Sequence, residues 1–514
     1  MTKRTRTRTR SSLLALILLS VLMLTACASE PAGHAEPKKS VNLLFNFATS
    51  SLDPNVDSSY VSLRAGITET LSHLNDESLE IEPWLAESWD SKDGQNWTFQ
   101  LRDDVMFHNG NKMDAAAVKA SLERAMTDSV AIQNALRIES IDASGHTLTI
   151  KTTVPFPEFP SELVHPNTSI IDVTETDYIN KPIGTGPFAV SAFTPGASVD
   201  LIRYDGYWNG PAKLAAARFS FNEDANARSL ALQSGDADIV FRPAVETLDT
   251  LKALSGVTVD STSTFRVHQI TMNLDRKPLQ DVHVRKAIDA LIDRQAIVDT
   301  ILYGHAEAAK GPFPSSFSFA PEYAGKQSGL DAARSYLREA GYMEADGVMQ
   351  KNGEPLVLKL LTYSSRADLP LIAQIMQSDA GKLGIDVQIE QIEKPEEYMA
   401  ANRDWDLATY SNLTAPRGDA GYYLNATFHP KGALNFSGVQ DAALTALIDM
   451  LNGAIGQQAR SELAEQIAVY VDEQAYNSFV LHPNTLVAYK SDKVANWVTS
   501  RSEYYMLTNE LDVK

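Results

Sequence analysis

From Val41 to the C-terminus the chain switches repeatedly between two hydrophobic periods. Short runs that alternate apolar and polar residues, or are apolar throughout, predict strands at Trp97–Leu101, Thr147–Ile150, Phe188–Val190, Val267–Leu274, Leu356–Thr362 and Ile385–Ile389. Apolar residues at helical spacing predict helices over Met113–Met126, Asp224–Gln233, Asp281–Leu302, Leu369–Leu383, Ala442–Leu451 and Ser461–Val471. Gly235, Gly304 and Gly384 follow three of these helices, where a residue tolerant of left-handed backbone ends the turn. Asp114 opens the first, where a carboxylate suits the helix dipole. Strands alternating with helices imply an α/β architecture, expected here with largely parallel sheets.

Length and composition narrow this picture. A chain of 514 residues with 44% hydrophobic residues suggests two or three lobes with sizeable cores. The N-terminus differs from the rest. Five basic residues (Lys3, Arg4, Arg6, Arg8, Arg10) precede an apolar run, Leu13–Leu24, that is short for a permanent membrane span. The run ends in Leu24-Thr25-Ala26-Cys27, which resembles a bacterial lipobox. On this reading residues 1–26 are a signal peptide and Cys27 is lipidated. Residues 27–39, rich in Pro, Ala and charge, form the tether, so the protein is exported to the periplasm or cell surface and held on a membrane. The alternative is a plain signal peptide with an incidental cysteine. Cys27 is the only cysteine, so no intrachain disulfide is available. The net charge of −20, more negative once the basic leader is removed, argues against nucleic acid as a partner and favours solubility.

Catalytic and cofactor signatures are missing. The ten histidines are scattered, with no His-Glu-x-x-His and no i, i+4 pair. There is no Gly-x-Ser-x-Gly elbow and no phosphate-binding Gly-x-x-x-x-Gly-Lys loop. Gly184-Thr185-Gly186-Pro187-Phe188-Ala189 mimics a dinucleotide fingerprint, but a strand-like Phe-Ala-Val follows it where a pyrophosphate would need a helix N-terminus. It reads as a structural turn. Acid pairs such as Asp103-Asp104 and Glu396-Glu397 fit solvated faces. No motif supports an enzyme and no resident cofactor is expected; a secreted hydrolase stays open as the alternative of a different class, and a surface adhesin or chaperone as a third.

Four ordered segments together carry a resemblance. They are Ala86-Glu87-Ser88-Trp89 through Trp97-Thr98-Phe99 to Phe107-His108-Asn109-Gly110; Gly184-Thr185-Gly186-Pro187-Phe188 with Tyr207-Trp208; Leu232-Gln233-Ser234-Gly235-Asp236; and Asn273-Leu274 with Val284-Arg285-Lys286-Ala287. In this order and spacing the chain resembles the large extracellular solute-binding proteins of ABC importers for peptides and nickel, with the nickel branch favoured. The resemblance implies a two-lobed, type II-like periplasmic-binding-protein fold with an extra subdomain on lobe I. By analogy lobe I covers residues 40–266 and 484–514, with the subdomain at about 60–180, and lobe II covers 267–483. It further implies hinge crossings near Phe265–His268 and His482–Asn484, a monomer, and a closed form recognised by the importer's membrane subunits.

The same resemblance frames the ligand. Peptide binders of the family commonly hold the free amine through an aspartate in a lobe II loop; here Pro416 or Arg417 stands there. An arginine inverts the preference toward a carboxylate. Ala415-Pro416 resembles the nickel-binding members, and Tyr410 takes the place of a histidine that ligates metal in one of them. The expected cargo is therefore a nickel chelate, such as nickel with histidine, with an oligopeptide as the alternative. His482 is the candidate metal ligand, because imidazole suits Ni²⁺ and an octahedral ion accepts a mixed ligand set. Arg417, Arg64 and Arg137 are candidate carboxylate clamps. Tyr410, Asn412, Tyr504 and Tyr505 are candidate cleft liners, and Phe45 or Phe47 a candidate wall.

Overall fold

The structure is a computed structural model and describes residues 39–514 other than 324. The leader, the cysteine and almost all of the tether fall outside the described residues.

The fold is a two-lobed α/β assembly built on one shared strand. In one half, strands Phe188–Thr194, Ser198–Arg203, Ala216–Phe221, Ser40–Phe45 and Ile239–Phe241 lie side by side in that order. In the other, Asp386–Gln391, Val357–Thr362, Leu407–Leu413 and Arg266–Met272 do the same. The 14-residue strand Asn477–Lys490 completes both sheets. Its first part pairs with Arg266–Met272, and its second with Ile239–Phe241 and Val257–Ser263. A third unit holds a four-stranded antiparallel sheet, Ala86–Asp90, Asn96–Leu101, Thr147–Thr152 and Ile138–Ser144, with the helix Ala115–Asp128. Asp114 caps that helix by accepting from the Ala117 N–H at 2.9 Å.

Two expectations are corrected. The sheets are mixed, not largely parallel. Ser40–Phe45 and Val357–Thr362 pair in parallel with both their neighbours, whereas the hairpins and every pairing of the shared strand are antiparallel. A strand that must serve two sheets enters each against the run of its neighbours. The single helix expected over Asp281–Leu302 is two, Val282–Ala290 and Arg294–Ile301. Asp293 breaks it by accepting from the Ala296 N–H at 3.0 Å, so its side chain caps a new start where periodicity alone shows continuity.

The two parts of the second segment of the resemblance, together with Trp84, are held by one buried carboxylate. Glu69 accepts from Trp84 Nε1 (2.8 Å), Thr185 Oγ1 (2.7 Å), Tyr207 OH (2.7 Å) and Trp208 Nε1 (3.1 Å). The Gly184–Phe188 turn lies backbone to backbone on Gly66 and Ile67, with Gly186 N donating to Ile67 O and Phe188 N to Gly66 O. A Cβ on Gly186 would stand 2.3 Å from Gly66 O, and one on Gly184 2.1 Å from Ile67 O. The turn needs glycine for close approach and has no role in holding a nucleotide.

The halves meet through apolar and polar contacts. Leu74, Leu79 and Val164 join the core cluster of Phe265, Ala415 and Tyr423. Glu158 pairs with Arg460 at 2.8 Å. Arg501 donates to Ser263 O (3.2 Å), Asp76 O (3.2 Å) and Ser316 Oγ (2.9 Å). Gly186→Ala is expected to lower stability by more than about 2 kcal/mol, because the obstacle is backbone that cannot move aside. Urea unfolding followed by tryptophan fluorescence measures this, and an unchanged midpoint would contradict the packing described.

Candidate functional site

Between the halves lies a cleft of about 880 Å³, within the size range of small-molecule sites. Asn46 and Phe47 reach it from the end of the first strand, so Phe47 forms the wall and Phe45 is core. Helix Ala225–Ser234 presents its first turn from one half and helix Asp368–Gly381 its first turn from the other. Arg242, His268, His305, Arg366 and the segment Pro483–Asn484 complete the polar part.

The inner electrostatics are set by arginines around one acid. Arg242 Nη2 donates to Glu503 Oε1 at 2.5 Å, and Arg64 Nε donates to the Glu503 carbonyl at 2.8 Å. Thr485 Oγ1 also donates to Glu503 at 2.5 Å. Burial would raise the Glu503 carboxyl, but the guanidiniums of Arg242, Arg266 and Arg64 outweigh it and hold it at about 2. Burial and then the charges of Arg266 and Arg242 pull Arg366 down to about 9, which leaves it protonated at neutral pH. The cleft's remaining acids besides Asp368, namely Glu223, Glu246 and Glu393, are exposed on its rim. Water screens them, so the positive charge of the interior dominates at the floor. Backbone strain marks the same place: Arg242 (φ 49) and Glu503 (φ 63) both hold left-handed conformations costly for residues with a Cβ.

His268 lies beside these arginines on the strand Arg266–Met272, 1% exposed. Its Nε2 is 2.8 Å from Asp368 Oδ2. Burial pushes the imidazole below its ordinary value, so it is neutral at pH 7. Burial would raise Asp368, but the bonded His268 and the Arg366 guanidinium hold it below the usual carboxylate range. Nε2 therefore carries the proton and donates to Asp368, leaving the lone pair on Nδ1. Nδ1, together with Asn46 Oδ1 and Arg242 Nε, is buried without a hydrogen-bond partner among the described residues.

Of the residues singled out from the sequence, Arg64, Arg417 and Tyr504 gather around Tyr60, with Tyr505 beside Tyr504, outside this cleft, and the others lie apart. Arg417 is buried and pairs with Glu162 across the two halves, its guanidinium 4.5 Å from the Tyr422 ring centre. Burial raises Glu162, and Arg417 opposes that rise. Asp419 is held by Arg460, at 3.0 Å and 2.7 Å, so it is not presented to the cleft. Arg64 is buried between Phe45 and Tyr60. Arg137 is exposed, over the Phe156 ring, and away from the cleft lining. Tyr410 donates to Glu396 at 2.8 Å inside lobe II, and Asn412 reaches Thr427 Oγ1 at 3.5 Å. Tyr504 is fully buried against Tyr60, while Tyr505 stacks on His73 at 4.0 Å. His482 is 2% exposed, with Nδ1 3.1 Å from Arg266 O, and burial lowers it to about 4. It lies on the shared strand Asn477–Lys490 and is not among the cleft-lining residues.

A model of the bacterial extracellular solute-binding proteins, family 5 (middle region), matches residues 80–435. The chain belongs to this family. It is thus an extracellular-type solute-binding protein of ABC transporters and not an enzyme. A nickel-binding protein, NikA, of Staphylococcus aureus is 31% identical over 96% of this chain and 97% of its own length. The crystal structure of a nickel ABC transporter protein from Bacillus halodurans is 62% identical, with a TM-score of 0.81, over 93% of this chain and all of that one. The Staphylococcus aureus NikA structure in complex with Ni(L-His)2 is 30% identical, with a TM-score of 0.80, over the same shares.

In this solute-binding protein the sequence reading passed over Arg242, Arg266, His268, Arg366, Asp368 and Glu503. One signal was available: Arg266 and His268 stand two apart on one strand, so both project from one face of the sheet. The Glu503 pairing predicts a pH signature. Its folded value is depressed, so its stabilisation is complete above the ordinary value of 4.5 and is lost as pH falls toward about 2. Glu503→Gln is expected to cost about 3 kcal/mol at pH 7 and to flatten the acid limb of the stability curve below pH 4.5. Urea titrations across pH check both, and equal slopes for the two proteins would remove the pairing.

Proposed function

We propose that this protein captures a nickel chelate of a small amino acid in the interlobe cleft and delivers it to the membrane subunits of an ABC importer. The observation that carries the reading is the buried charge imbalance: Arg242, Arg266 and Arg366 outnumber the two inner carboxylates, Glu503 and Asp368. Such a floor repels a bare divalent cation and attracts carboxylates, which guanidinium recognises through paired hydrogen bonds. Among the described residues no group of three His, Cys, Asp or Glu could hold a metal ion alone. A metal cargo must then arrive with most of its ligands, as in the Ni(L-His)2 complex of the Staphylococcus aureus relative. The oligopeptide alternative is weaker because no acid of the 410–420 loop lines the cleft to take an amine.

Residues 40–266 with 484–514 and residues 267–483 are taken as the two rigid bodies, rotating about the crossings near Phe265–His268 and His482–Asn484. The protein is proposed to act as a monomer, as the resemblance to its family implies. Among the described residues no helix is long and apolar enough to cross a membrane. The Leu24-Thr25-Ala26-Cys27 motif supports a lipid anchor at Cys27.

Calorimetric titration of the metal-free protein with Ni²⁺ plus L-histidine, with Ni²⁺ alone and with a peptide mixture tests the cargo. Saturable binding of the mixed complex only is expected, and Arg366→Ala should weaken it by about 2 kcal/mol. Saturable peptide binding with no response to the nickel complex would replace this reading with the oligopeptide one. For the anchor, Cys27→Ser should move the protein from the membrane fraction to the soluble fraction; unchanged fractionation would remove the lipid.

A further inference from the structure

We infer that His268 is a ligand of the transported metal, contributed by the protein through Nδ1, with Asp368 as the positioning residue behind it. The inference rests on the nickel-chelate reading and deepens it.

Geometry separates His268 from the other histidines nearby. Its Nε2 is committed to Asp368 at 2.8 Å, and its Nδ1 has no hydrogen-bond partner among the described residues although the side chain is buried and lines the cleft. A carboxylate on the far nitrogen is the arrangement that orients metal-bound imidazoles and raises their basicity. Asp368 is well placed for this, in the first turn of a 14-residue helix whose N-terminus favours its charge. His305 also lines the cleft, but its Nδ1 is engaged by Ser261 Oγ at 2.8 Å and no acid orients it. His482 has its Nδ1 on a backbone carbonyl and faces the hinge.

The surrounding charge explains why one imidazole suffices. Arg266 and Arg366 lie close enough to His268 to disfavour its protonation, and the same field opposes a bare cation at Nδ1. A chelate resolves the conflict. Its carboxylates face the guanidiniums while the metal they neutralise faces the Nδ1 lone pair. Nickel, which accepts nitrogen and oxygen ligands together, fits such a mixed set. The Nδ1 atom is closed to solvent in this conformation, so a chelate reaches it only if the surrounding side chains give way.

The test uses metal-free protein carrying ¹⁵N-labelled histidine, titrated with Ni²⁺ and unlabelled L-histidine. A coordinated protein imidazole gives a hyperfine-shifted Nε2–H signal that the unlabelled chelator cannot produce. One such signal is expected in the wild type and in His305→Ala. It should be absent from His268→Ala and from His268→Gln, which keeps an N–H for Asp368 and guards against misfolding. Affinity should fall about tenfold or more in both His268 variants. Asp368→Asn can offer an N–H to Nε2 and favour the wrong tautomer, so it too should weaken binding about tenfold, with the shifted signal lost. Wild-type binding of the nickel complex without a shifted protein imidazole, or with one that persists in His268→Ala, overturns the inference and leaves the nickel reading standing. No binding of any nickel complex by the wild type overturns both.

Discussion

Buried guanidiniums that outnumber their carboxylates are the constraint around which the interior of this protein is arranged. Arg64, Arg242, Arg266 and Arg366 outnumber the two inner carboxylates, Glu503 and Asp368. A charge taken out of water must be paired or bonded, and an excess of one sign is tolerated only where something else completes the balance. Arg64 is satisfied by backbone carbonyls of Glu503 and Ser59. Arg242 and Arg266 each keep a buried nitrogen without a partner among the described residues. In a chain with a net charge of −20, an inner basic floor is specific to the place where it occurs.

The scaffold ties the two sides of that floor together. Asn477–Lys490 is hydrogen-bonded to both sheets, so one continuous strand joins the halves. The polar residues of the floor come from both sides of this strand: Arg242 and Glu503 from one, Arg266, His268, Arg366 and Asp368 from the other.

The family's most recognisable residues do a different job. Trp84, Thr185, Tyr207 and Trp208 converge on Glu69, far from the floor in function if not in sequence, and the paired glycines let two backbone segments touch. These contacts fix the scaffold, which explains why relatives with one scaffold bind peptides or nickel complexes: the ligand chemistry is carried by loops and strand ends that the signature does not include.

Taken alone, the sequence determined the elements whose cause is local. Periodicity marked Trp97–Leu101 and Leu369–Leu383, Asp114 marked a helix start, and the ordered motifs marked the family. It failed where the cause is distant. The break at Asp293 depends on a side chain competing with the backbone, and the mixed sheets depend on one strand serving two sheets. The site was the least legible part. Arg417 and His482 have the right chemistry but face Glu162 and the Arg266 carbonyl, because burial next to a partner from another segment decides where a polar group is spent. His268 became a candidate only once tertiary structure placed Asp368, a hundred residues away, against one nitrogen and left the other without a partner.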